Sequence, residues 1–575
     1  MCRSTLPVLN MTRKSTRANA VVLGGFVLIG MAAGFGKPAE ASTVVITPGA
    51  NIASAVERSP SGTTFLVKPG TYRLEQIAPK DGDKFVGEPG AVLTGAKLLT
   101  HFAKSGRLWI ARDGTPQGQA GGYCDTDSPA CGYSENLFID DQPLRHAEGK
   151  AQVGAGSYFF DYASHQILLG DDPAGKKVEI GVARAAFSGP AQGVAITGLT
   201  IEKYAIPAQM GAIGDQVGVV KWTIENNVVR WNHGAAIRAN SGTRVIDNKL
   251  YGNGQLGISA SGDDVLIEGN EIASNNYAGF APGWEAGGSK FSRTTNLIVR
   301  NNYSHDNKGP GLWTDIDNYR TTYEYNTVVD NDWEGIEHEI SYDALIHDNV
   351  VKGNGRTRDN WVWGAQILIQ NSSHVDVHDN YVELATHGDG IAIISQDRGG
   401  GSRGKWEAVG THVHDNRIVI GQSFLPDGFD AGVSGVAGDY DVKRLLTENA
   451  FDRNEYYVPD LNGAWWRWTR QTDWKGFRAE GEEGRGAVHS SRRPPAPPKP
   501  QIALSASPSP VVGRPFVIKW SALLATTCQA IGGWNGAKGL SGEMTLLPTA
   551  TTSYGITCRG YGGDDRKMIS VEAGS

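Results

Sequence analysis

The stretch GLWTDIDNYRTTYEYNTVVDNDWEGIEHEIS spans residues 311–341 and contains two short segments that each begin with a glycine. In a β-strand, successive side chains point to opposite faces. This alternation predicts that Asp315 and Asp317 share one face, and that Glu337 and Glu339 share the same face of the neighbouring strand. Like charges this close together are unfavourable, so the four carboxylates indicate a site at which something offsets that cost.

Asparagines recur on both sides of this stretch and define a repeat of about twenty-two residues. The first series is Asn227, Asn248, Asn270, Asn302, Asn326, Asn349, Asn380 and Asn416. The second series follows the first six members by five residues each, at Asn232, Asn253, Asn275, Asn307, Asn331 and Asn354. Such self-similarity predicts a solenoid with three short strands per turn. Stacked asparagine amides are expected to hydrogen-bond from coil to coil, in a structural role.

Length and composition agree with an extended β structure. The 575 residues exceed what one compact core accommodates, and the 75 glycines favour strands and turns over helices. The formal charge of −7 gives no support for a nucleic acid or an anionic membrane as partner.

The N-terminus and the cysteines both predict export. Residues 1–41 read as a signal peptide, with a basic segment, an apolar run from Ala20 to Phe35 and a small-residue cleavage site near Ala41. The mature chain would then be secreted or periplasmic, with no membrane segment. It retains four cysteines in two local pairs, Cys124 with Cys131 and Cys528 with Cys558, which predict two disulfides.

The repeats resemble those of right-handed parallel β-helix proteins with the pectate lyase-like fold. The resemblance implies an all-β chain with a parallel β-helix over residues 42–460, interrupted by a small antiparallel β insert at about 97–190. Residues 461–490 resemble the cap that closes the last coil, in which Trp465, Trp466 and Trp468 are expected to be apolar packing rather than sugar contacts. A proline-rich linker follows at 491–501. Residues 502–575 resemble a bacterial immunoglobulin-like β-sandwich.

In that family the glycine-led strands form the first sheet, whose outer face usually carries the substrate groove. Aligning Gly279, Gly311, Gly335 and Gly364 predicts which outer side chains are neighbours. Trp313 is expected beside Glu337 and Gln366, Asp315 beside Glu339, and Asp317 beside Ser341 and Gln370. Arg238 lies on the same predicted face, and an insertion after Gly279 brings Trp284 to its edge. His338 is expected to point into the core.

Paired carboxylates on this face point to glycoside hydrolysis of a polysaccharide. Neighbouring strands are ~4.8 Å apart. Asp315 and Glu339 therefore fit the separation of a retaining pair (~5–5.5 Å), and Asp315 with Glu337, at roughly 8 Å, fits an inverting pair. The predicted catalytic residues are Asp315, Glu337 and Glu339. The predicted substrate-binding residues are Trp284, Trp313, Gln366, Gln370 and Arg238.

Two other functions remain open at this stage. The first is a calcium-dependent lyase or epimerase, in which Asp317 with Asp315, Glu337 and Glu339 would bind Ca²⁺. Lys290, Arg238 or Arg320 would then serve as the base, although the arginine motif of pectate lyases is absent from the sequence. The second is a non-catalytic surface or adhesin-type β-helix, since a fold alone does not define a function.

Overall fold

The computed structural model of the protein describes residues 42–112, 120–357, 361–384, 386, 388–422 and 434–573. The predicted signal peptide, residues 1–41, lies outside these residues. Among the helices that are described, none is both long and apolar enough to cross a membrane.

The main body is a solenoid in which consecutive coils stack their strands in parallel, which confirms the predicted right-handed parallel β-helix. The first sheet contains Gly211–Ile213, Ala235–Ala239, Leu256–Asp263, Gly287–Thr295, Leu312–Asp315, Ile336–Glu339, Ile367–Gln370, Ile391–Ser395, Ser434–Gly438 and Trp466–Trp468. The second sheet contains Thr43–Ile46, Thr64–Val67, Lys84–Gly87, Ala195–Thr197, Thr223–Glu225, Arg244–Ile246, Leu266–Glu268, Ile298–Arg300, Tyr319–Glu324, Tyr342–His347, Ser373–His378, His412–His414 and Ala450–Asp452.

The third sheet completes each coil. It contains Gly70–Arg73, Ala91–Thr94, Thr200–Glu202, Val228–Arg230, Lys249–Tyr251, Glu271–Ala273, Tyr303–His305, Thr327–Val329, Val350–Lys352, Tyr381–Leu384, Arg417–Ile420, Glu455–Val458 and Ala487–Ser490. Inward-facing Val, Ile, Leu and Phe side chains of the three sheets form one continuous core along the solenoid.

Both asparagine series form hydrogen-bonded ladders, as predicted. In the first ladder the Asn302 side chain donates to Asn326 Oδ1 at 3.0 Å, and Asn326 donates to Asn349 Oδ1 at 3.0 Å. Each rung also binds backbone groups of neighbouring coils, so amides that are fully buried keep their partners. The ladder continues beyond Asn416 to Asn454 and ends on the carboxylate of Glu483.

Both ends of the solenoid are closed by apolar residues. The helix Ile52–Arg58 covers the N-terminal end, and Asn51 caps it by accepting a hydrogen bond from the Ser54 amide. At the other end Trp466 and Trp468 are buried against Tyr456 and against Phe477 of the helix Trp474–Ala479. The strand Arg470–Thr472 pairs antiparallel with Trp466–Trp468. Short helices also occur at Val442–Thr447 and, as a 3-10 turn, at Lys150–Gln152.

The predicted antiparallel insert forms two small sheets. One contains Ala96–Leu98, Leu137–Ile139, Gln142–Pro143 and Val178–Gly181; the other contains Phe102–Ser105, Leu108–Arg112, Arg145–His146, Ser157–Asp161 and Gln166–Leu169. Cys124 and Cys131 form the predicted disulfide within its loop. The short strand pair Gly400–Gly401 and Gly404–Lys405 belongs to a different loop, residues 396–406.

The C-terminal residues form two antiparallel sheets that pack face to face. One contains Gln501–Ser507, Phe516–Leu523 and Ser541–Leu546; the other contains Thr527–Gly532, Ala537–Lys538, Ser553–Gly560 and Gly563–Ser570. Cys528 and Cys558 form the second predicted disulfide, across neighbouring strands of the same sheet. The likeness of this module to an immunoglobulin domain stays a prediction.

Candidate active site

Two carboxylates meet on the outer face of the first sheet. Asp315 ends the strand Leu312–Asp315 and is directly in register with Glu339, which ends the strand Ile336–Glu339 on the next coil. Both side chains are largely buried, at 6% and 7% exposure. The predicted neighbourhood of Asp315 and Glu339 is therefore confirmed.

Two cations offset the charge of this pair. Lys290 Nζ lies 2.8 Å from Asp315 Oδ2, and Arg398 Nη1 lies 2.7 Å from Glu339 Oε1. The second oxygen of Glu339 accepts a 3.2 Å hydrogen bond from the Trp313 indole. The second oxygen of Asp315, Oδ1, is buried and has no hydrogen-bond partner within the described part of the chain. One of the four carboxylate oxygens is thus enclosed without a partner among the described residues.

Burial raises the pKa of the Glu339 carboxyl above its usual value. The negative charge of Asp315 raises it further, while Arg398 and Lys290 act in the opposite direction. A carboxyl group with a raised pKa retains its proton at a pH where an ordinary glutamate has lost it. Glu339 can therefore donate a proton beside an acidic neighbour.

The backbone turns sharply after each carboxylate. Ile316 and Ile340 adopt φ values of +65° and +36°, in the left-handed region that β-branched residues rarely occupy. Such strain costs of order 1–3 kcal/mol and is concentrated at functional sites. The turns also break the strand alternation, so residues beyond Asp315 and Glu339 do not continue on the outer face.

The turn after Asp315 directs the Asp317 side chain away from the other carboxylates. Its carboxylate accepts hydrogen bonds from the Ser402 amide at 3.0 Å and from the Trp406 indole at 3.1 Å. Both partners belong to the loop 396–406, which also carries Arg398. The prediction that Asp317 joins the other carboxylates is wrong, because its left-handed backbone (φ +60°) directs it towards this loop.

The predicted register between the strands Ile336–Glu339 and Ile367–Gln370 is wrong by two residues. Glu337 is in register with Leu368, and Glu339 with Gln370. Gln366 points inward instead, where its Oε1 accepts from Asn354 at 2.9 Å and so extends the second ladder. Gln366 is fully buried, and its predicted contact with substrate is wrong.

Other predicted outer-face residues are also engaged by the protein. Ser341 is buried and accepts a 3.0 Å hydrogen bond from the Asn318 side chain of the preceding coil. Gln370 is 2% exposed and donates to Gln396 at 3.0 Å. Trp313 is 4% exposed, and the ammonium of Lys290 lies 3.9 Å from its ring centre. In contrast to the prediction, neither Trp313 nor Gln370 presents an open surface to a sugar.

A cleft of about 360 Å³ lies on the N-terminal side of the carboxylate pair, and it is lined by Lys290 and Ile316 but not by Asp315 or Glu339. Arg238, Ser259 and Lys290 occupy consecutive positions along its floor. Trp284, in the short helix Pro282–Glu285, lines one wall. Arg238 and Trp284 both line this cleft, and Lys290 connects it to Asp315. Their contact with a substrate stays a prediction.

The insert helps to build this cleft, which sequence reasoning did not anticipate. Tyr123 contacts the Trp284 ring edge to face at 5.4 Å, and Cys124 forms a backbone bridge with Phe280. Gly121 and Gly122 of the same disulfide loop line the cavity. The Cys124–Cys131 loop thereby forms part of the wall that holds Trp284.

The cleft is polar. Ser259 Oγ is buried without a hydrogen-bond partner among the described residues, and it lines the cavity. Arg238 donates to the Gln209 carbonyl at 2.8 Å, and burial lowers the pKa of its guanidinium. Glu285 accepts from Gln209 at 2.6 Å. These donors and acceptors match the hydroxyl groups of a sugar.

Neither His338 nor Arg320 points towards the carboxylate pair. His338 points into the core as predicted, where it hydrogen-bonds to Thr314 at 2.7 Å and burial lowers its pKa to about 3. Arg320 lines a separate shallow groove with Asp343 and His374. Among the residues that the structure describes, no group of three or more His, Cys, Asp or Glu side chains is placed to bind a metal ion. The Ca²⁺ site stays a prediction.

Arg398 is the main residue that sequence reasoning missed. It lies in a glycine-rich loop, SQDRGGGSRGKWEAVG, in which nothing distinguishes Arg398 from Arg403. Only the path of the loop over the sheet brings the first of these arginines to Glu339.

Comparison with known proteins agrees with the observed fold. The sequence model of the right handed beta helix region matches residues 213–382. XylC in complex with xylose has a TM-score of 0.54 at 13% identity, over 92% of this chain and 100% of that one. The A-module of the Azotobacter vinelandii mannuronan C-5 epimerase AlgE6 has a TM-score of 0.40 at 13% identity, over 76% and 89%. A glycoside hydrolase has 0.37 at 10% identity, over 77% and 99%.

None of the curated proteins compared with the chain matches it significantly in sequence. At these identities the structural likeness shows the fold alone, that of a right-handed parallel β-helix.

Proposed function

We propose that this protein is a carbohydrate-active enzyme that hydrolyses glycosidic bonds, with Asp315 as nucleophile and Glu339 as general acid and base. The observation that carries the proposal is the pairing of these two carboxylates on adjacent coils. Adjacent strands are ~4.8 Å apart, which is close to the ~5–5.5 Å separation of carboxyl groups in retaining glycosidases.

The reaction follows from the surroundings of the two groups. In the first step Asp315 Oδ1 attacks the anomeric carbon, and the bond to the leaving oxygen breaks as Glu339 transfers its proton to that oxygen. In the second step Glu339, now ionised, takes a proton from water, and the resulting hydroxide displaces Asp315 from the sugar. Lys290 holds Asp315 in an ion pair, and Glu339, whose pKa burial raises, supplies the proton.

The contacts of Lys290 favour hydrolysis over elimination. A lyase or epimerase needs a basic group that is free to take a proton from the sugar ring. Lys290 instead binds Asp315, donates to the Trp284 carbonyl at 2.8 Å and covers Trp313. Lys290 is thus engaged by a carboxylate, a carbonyl and an indole ring rather than free to approach a sugar ring.

The substrate class rests on the polar cleft and, more weakly, on fold likeness. Arg238, Ser259 and Glu285 offer donors and acceptors beside Trp284, a combination that suits a sugar ring. XylC, whose fold this chain shares, is known in complex with xylose. A xylose-containing oligosaccharide is therefore a reasonable first probe.

The test is a panel of p-nitrophenyl glycosides and polysaccharides, assayed for nitrophenol, reducing ends and unsaturated products, with and without chelator. We expect hydrolysis that is insensitive to chelator. The substitutions Asp315→Asn and Glu339→Gln should each lower kcat by about 10²–10⁴-fold, which is the usual contribution of a general acid or base. Each substitution leaves a cation without its counter-ion, Lys290 in Asp315→Asn and Arg398 in Glu339→Gln. The unfolding temperature of each variant is therefore measured to separate loss of folding from loss of catalysis.

Glu337→Gln is the matched control. Glu337 lies on the same strand and face, at 4% exposure, but it is in register with Trp313 rather than with Asp315. A larger loss in Glu337→Gln than in Glu339→Gln would favour the inverting pair. Formation of unsaturated products only in the presence of calcium would show that the protein is a lyase and not a hydrolase. An inactive wild-type protein across the panel would overturn the proposal.

A further inference from the structure

The outer face of the first sheet changes from polar to apolar on the coils that follow the carboxylates. In the column of Glu337, the next two coils present Leu368 and then Ala392. In the column of Glu339, Gln370 is followed by Ile394 and then by Ala437. The polar groove floor is thus continued by apolar side chains.

These apolar side chains are covered by the protein itself. Leu368, Ala392 and Ile394 are each fully buried although they point away from the solenoid core. They form a separate cluster with Val362 and Ala365, and Trp361 and Trp363 pack against it. The segment 361–365 therefore lies across the sheet where a groove would otherwise continue.

The loop 396–406 closes the same side above Glu339. Gln396 is hydrogen-bonded to Gln370, and Asn371 donates to the Trp406 carbonyl at 3.1 Å. Tyr342 donates to the Gly404 carbonyl at 2.9 Å. Together with the Asp317 contacts, these bonds fasten the loop at several points along its length.

The cleft lies on the opposite side of the pair. The cleft of about 360 Å³ extends from Lys290 towards Arg238, on the N-terminal side of the carboxylates. Within the described residues the cleft reaches Lys290, which binds Asp315, and the apolar cluster around Leu368 lies on the other side of the carboxylate pair.

We infer that the enzyme acts on the ends of sugar chains and on short oligosaccharides, not on internal bonds of a polysaccharide. A polymer that lay along the sheet would have to pass through the cluster around Leu368. A chain end meets no such obstacle, because the terminal sugar fills the closed end. This inference rests on the proposed hydrolysis and specifies its substrate.

The test uses xylohexaose and xylan, or the corresponding oligosaccharide and polymer from whichever sugar the panel identifies. Products are separated by size from the earliest time points, and the viscosity of the polymer is followed in parallel. We expect one small product from the start, together with slow loss of viscosity. Internal cleavage would instead give a broad distribution of sizes and a rapid fall in viscosity.

Two oligosaccharides, each blocked at one end, distinguish end-directed from internal cleavage. In one the non-reducing end is methylated at O4, and in the other the reducing end is converted to the alditol. End-directed action predicts that one of the blocks abolishes cleavage. Equal cleavage of both blocked forms at internal bonds would overturn the inference and leave the proposed hydrolysis intact. A protein that cleaves neither glycosides nor polymers would overturn both.

Discussion

At the scale of single residues, the site depends on what surrounds two acids. Asp315 has one oxygen bound by Lys290 and one unpartnered, whereas both oxygens of Glu339 are bound, by Arg398 and by Trp313. The two carboxyls thereby acquire different properties although they are direct neighbours. Distinct environments for paired acids are what acid–base catalysis requires.

Arg398→Ala tests the electrostatic part of this picture. Arg398 opposes the rise in the pKa of Glu339, so its removal should raise that pKa further. A general acid works only while it is protonated. The basic limb of the pH profile of kcat/KM should therefore move to higher pH in the variant.

The control for this change is Arg403→Ala. Arg403 is on the same loop, but its guanidinium lies 3.6 Å from the Tyr319 ring centre. Its loss should leave the basic limb where it is. A limb that stays in place in Arg398→Ala, or moves to lower pH, would show that Arg398 does not act on Glu339.

Strand alternation was sufficient to predict that Asp315 lies beside Glu339. It failed for Asp317 and Ser341, which follow a sharp turn of the backbone. Asp317 and Ser341 follow isoleucines with positive φ values, a conformation that the residue type disfavours. No propensity rule signals such a turn, since it is imposed by the tertiary structure. Asp317 was therefore assigned to a cluster from which the backbone removes it.

At the scale of elements, Asp317 fastens the loop 396–406. The loop packs closely against the Asp317 carboxylate, because a Cβ atom at Gly401 would lie 1.6 Å from Asp317 Oδ1. Asp317→Asn retains the shape and tolerates the left-handed backbone, but it weakens the charge-assisted bonds to Ser402 and Trp406. Trypsin should then cleave faster after Arg398, Arg403 and Lys405.

Asp343→Asn is the matched control for loop opening. Asp343 also has a positive φ, of +37°, and its nearest charged partner is His374 at 3.7 Å. Its substitution should leave cleavage of the loop unchanged. Equal protection of the loop in wild type and Asp317→Asn would contradict the anchoring role.

The ladders were predictable because their residues recur with constant local spacing. Asn227 and Asn232 each stand one repeat before a matching amide, and a buried amide column needs every coil to supply one. The substitution of Gln366 for an asparagine broke that pattern. A longer side chain from a different backbone position completes the rung. The inferred register was displaced by two residues because it was aligned on Gly364, whereas Gln366 directly precedes Ile367, the partner of Ile336.

The C-terminal cap predicts a dependence of stability on pH. Burial raises the pKa values of Glu482 and Glu483 to about 7, from 4.5. The folded state thus binds these protons more tightly than the unfolded state, so their favourable contribution is complete below about pH 4.5 and is lost as the pH rises through 7. The double variant Glu482→Gln, Glu483→Gln should reduce this fall in the free energy of unfolding.

The measurement is the unfolding midpoint in denaturant between pH 4 and 8 for both proteins. Glu480→Gln serves as control, since Glu480 is an exposed neighbour paired at 3.5 Å with Arg470. A pH dependence in the double variant that equals that of the wild type would contradict the assignment.

At the scale of the whole molecule, the C-terminal module packs back on the solenoid. Asn301 donates to the Ala522 carbonyl at 2.8 Å and accepts from the Leu524 amide at 3.1 Å. Leu524 is buried against Val350 and Tyr381 of the third sheet. The proline-rich linker does not hold the module apart, because Tyr381 also donates to the Pro495 carbonyl.

Leu524→Ala should weaken this contact by about 2 kcal/mol or more, the usual cost of truncating a buried leucine. Trypsin should then cleave the linker faster after Arg492, because the bonds after Arg493 and Lys499 precede prolines and resist trypsin. Leu547→Ala is the control, because Leu547 is 58% exposed on the same module. Unchanged linker cleavage in Leu524→Ala would contradict docking through this side chain.

The most direct test of the paired-carboxylate mechanism is the mass of the intact Glu339→Gln protein during reaction with an activated p-nitrophenyl glycoside. Nitrophenol needs no proton to leave, whereas the second step lacks its base, so the glycosyl-enzyme should accumulate. We predict a mass increase of one glycosyl group, on the peptide that contains Asp315. Release of nitrophenol without such an adduct, or an adduct on another residue, would contradict the mechanism.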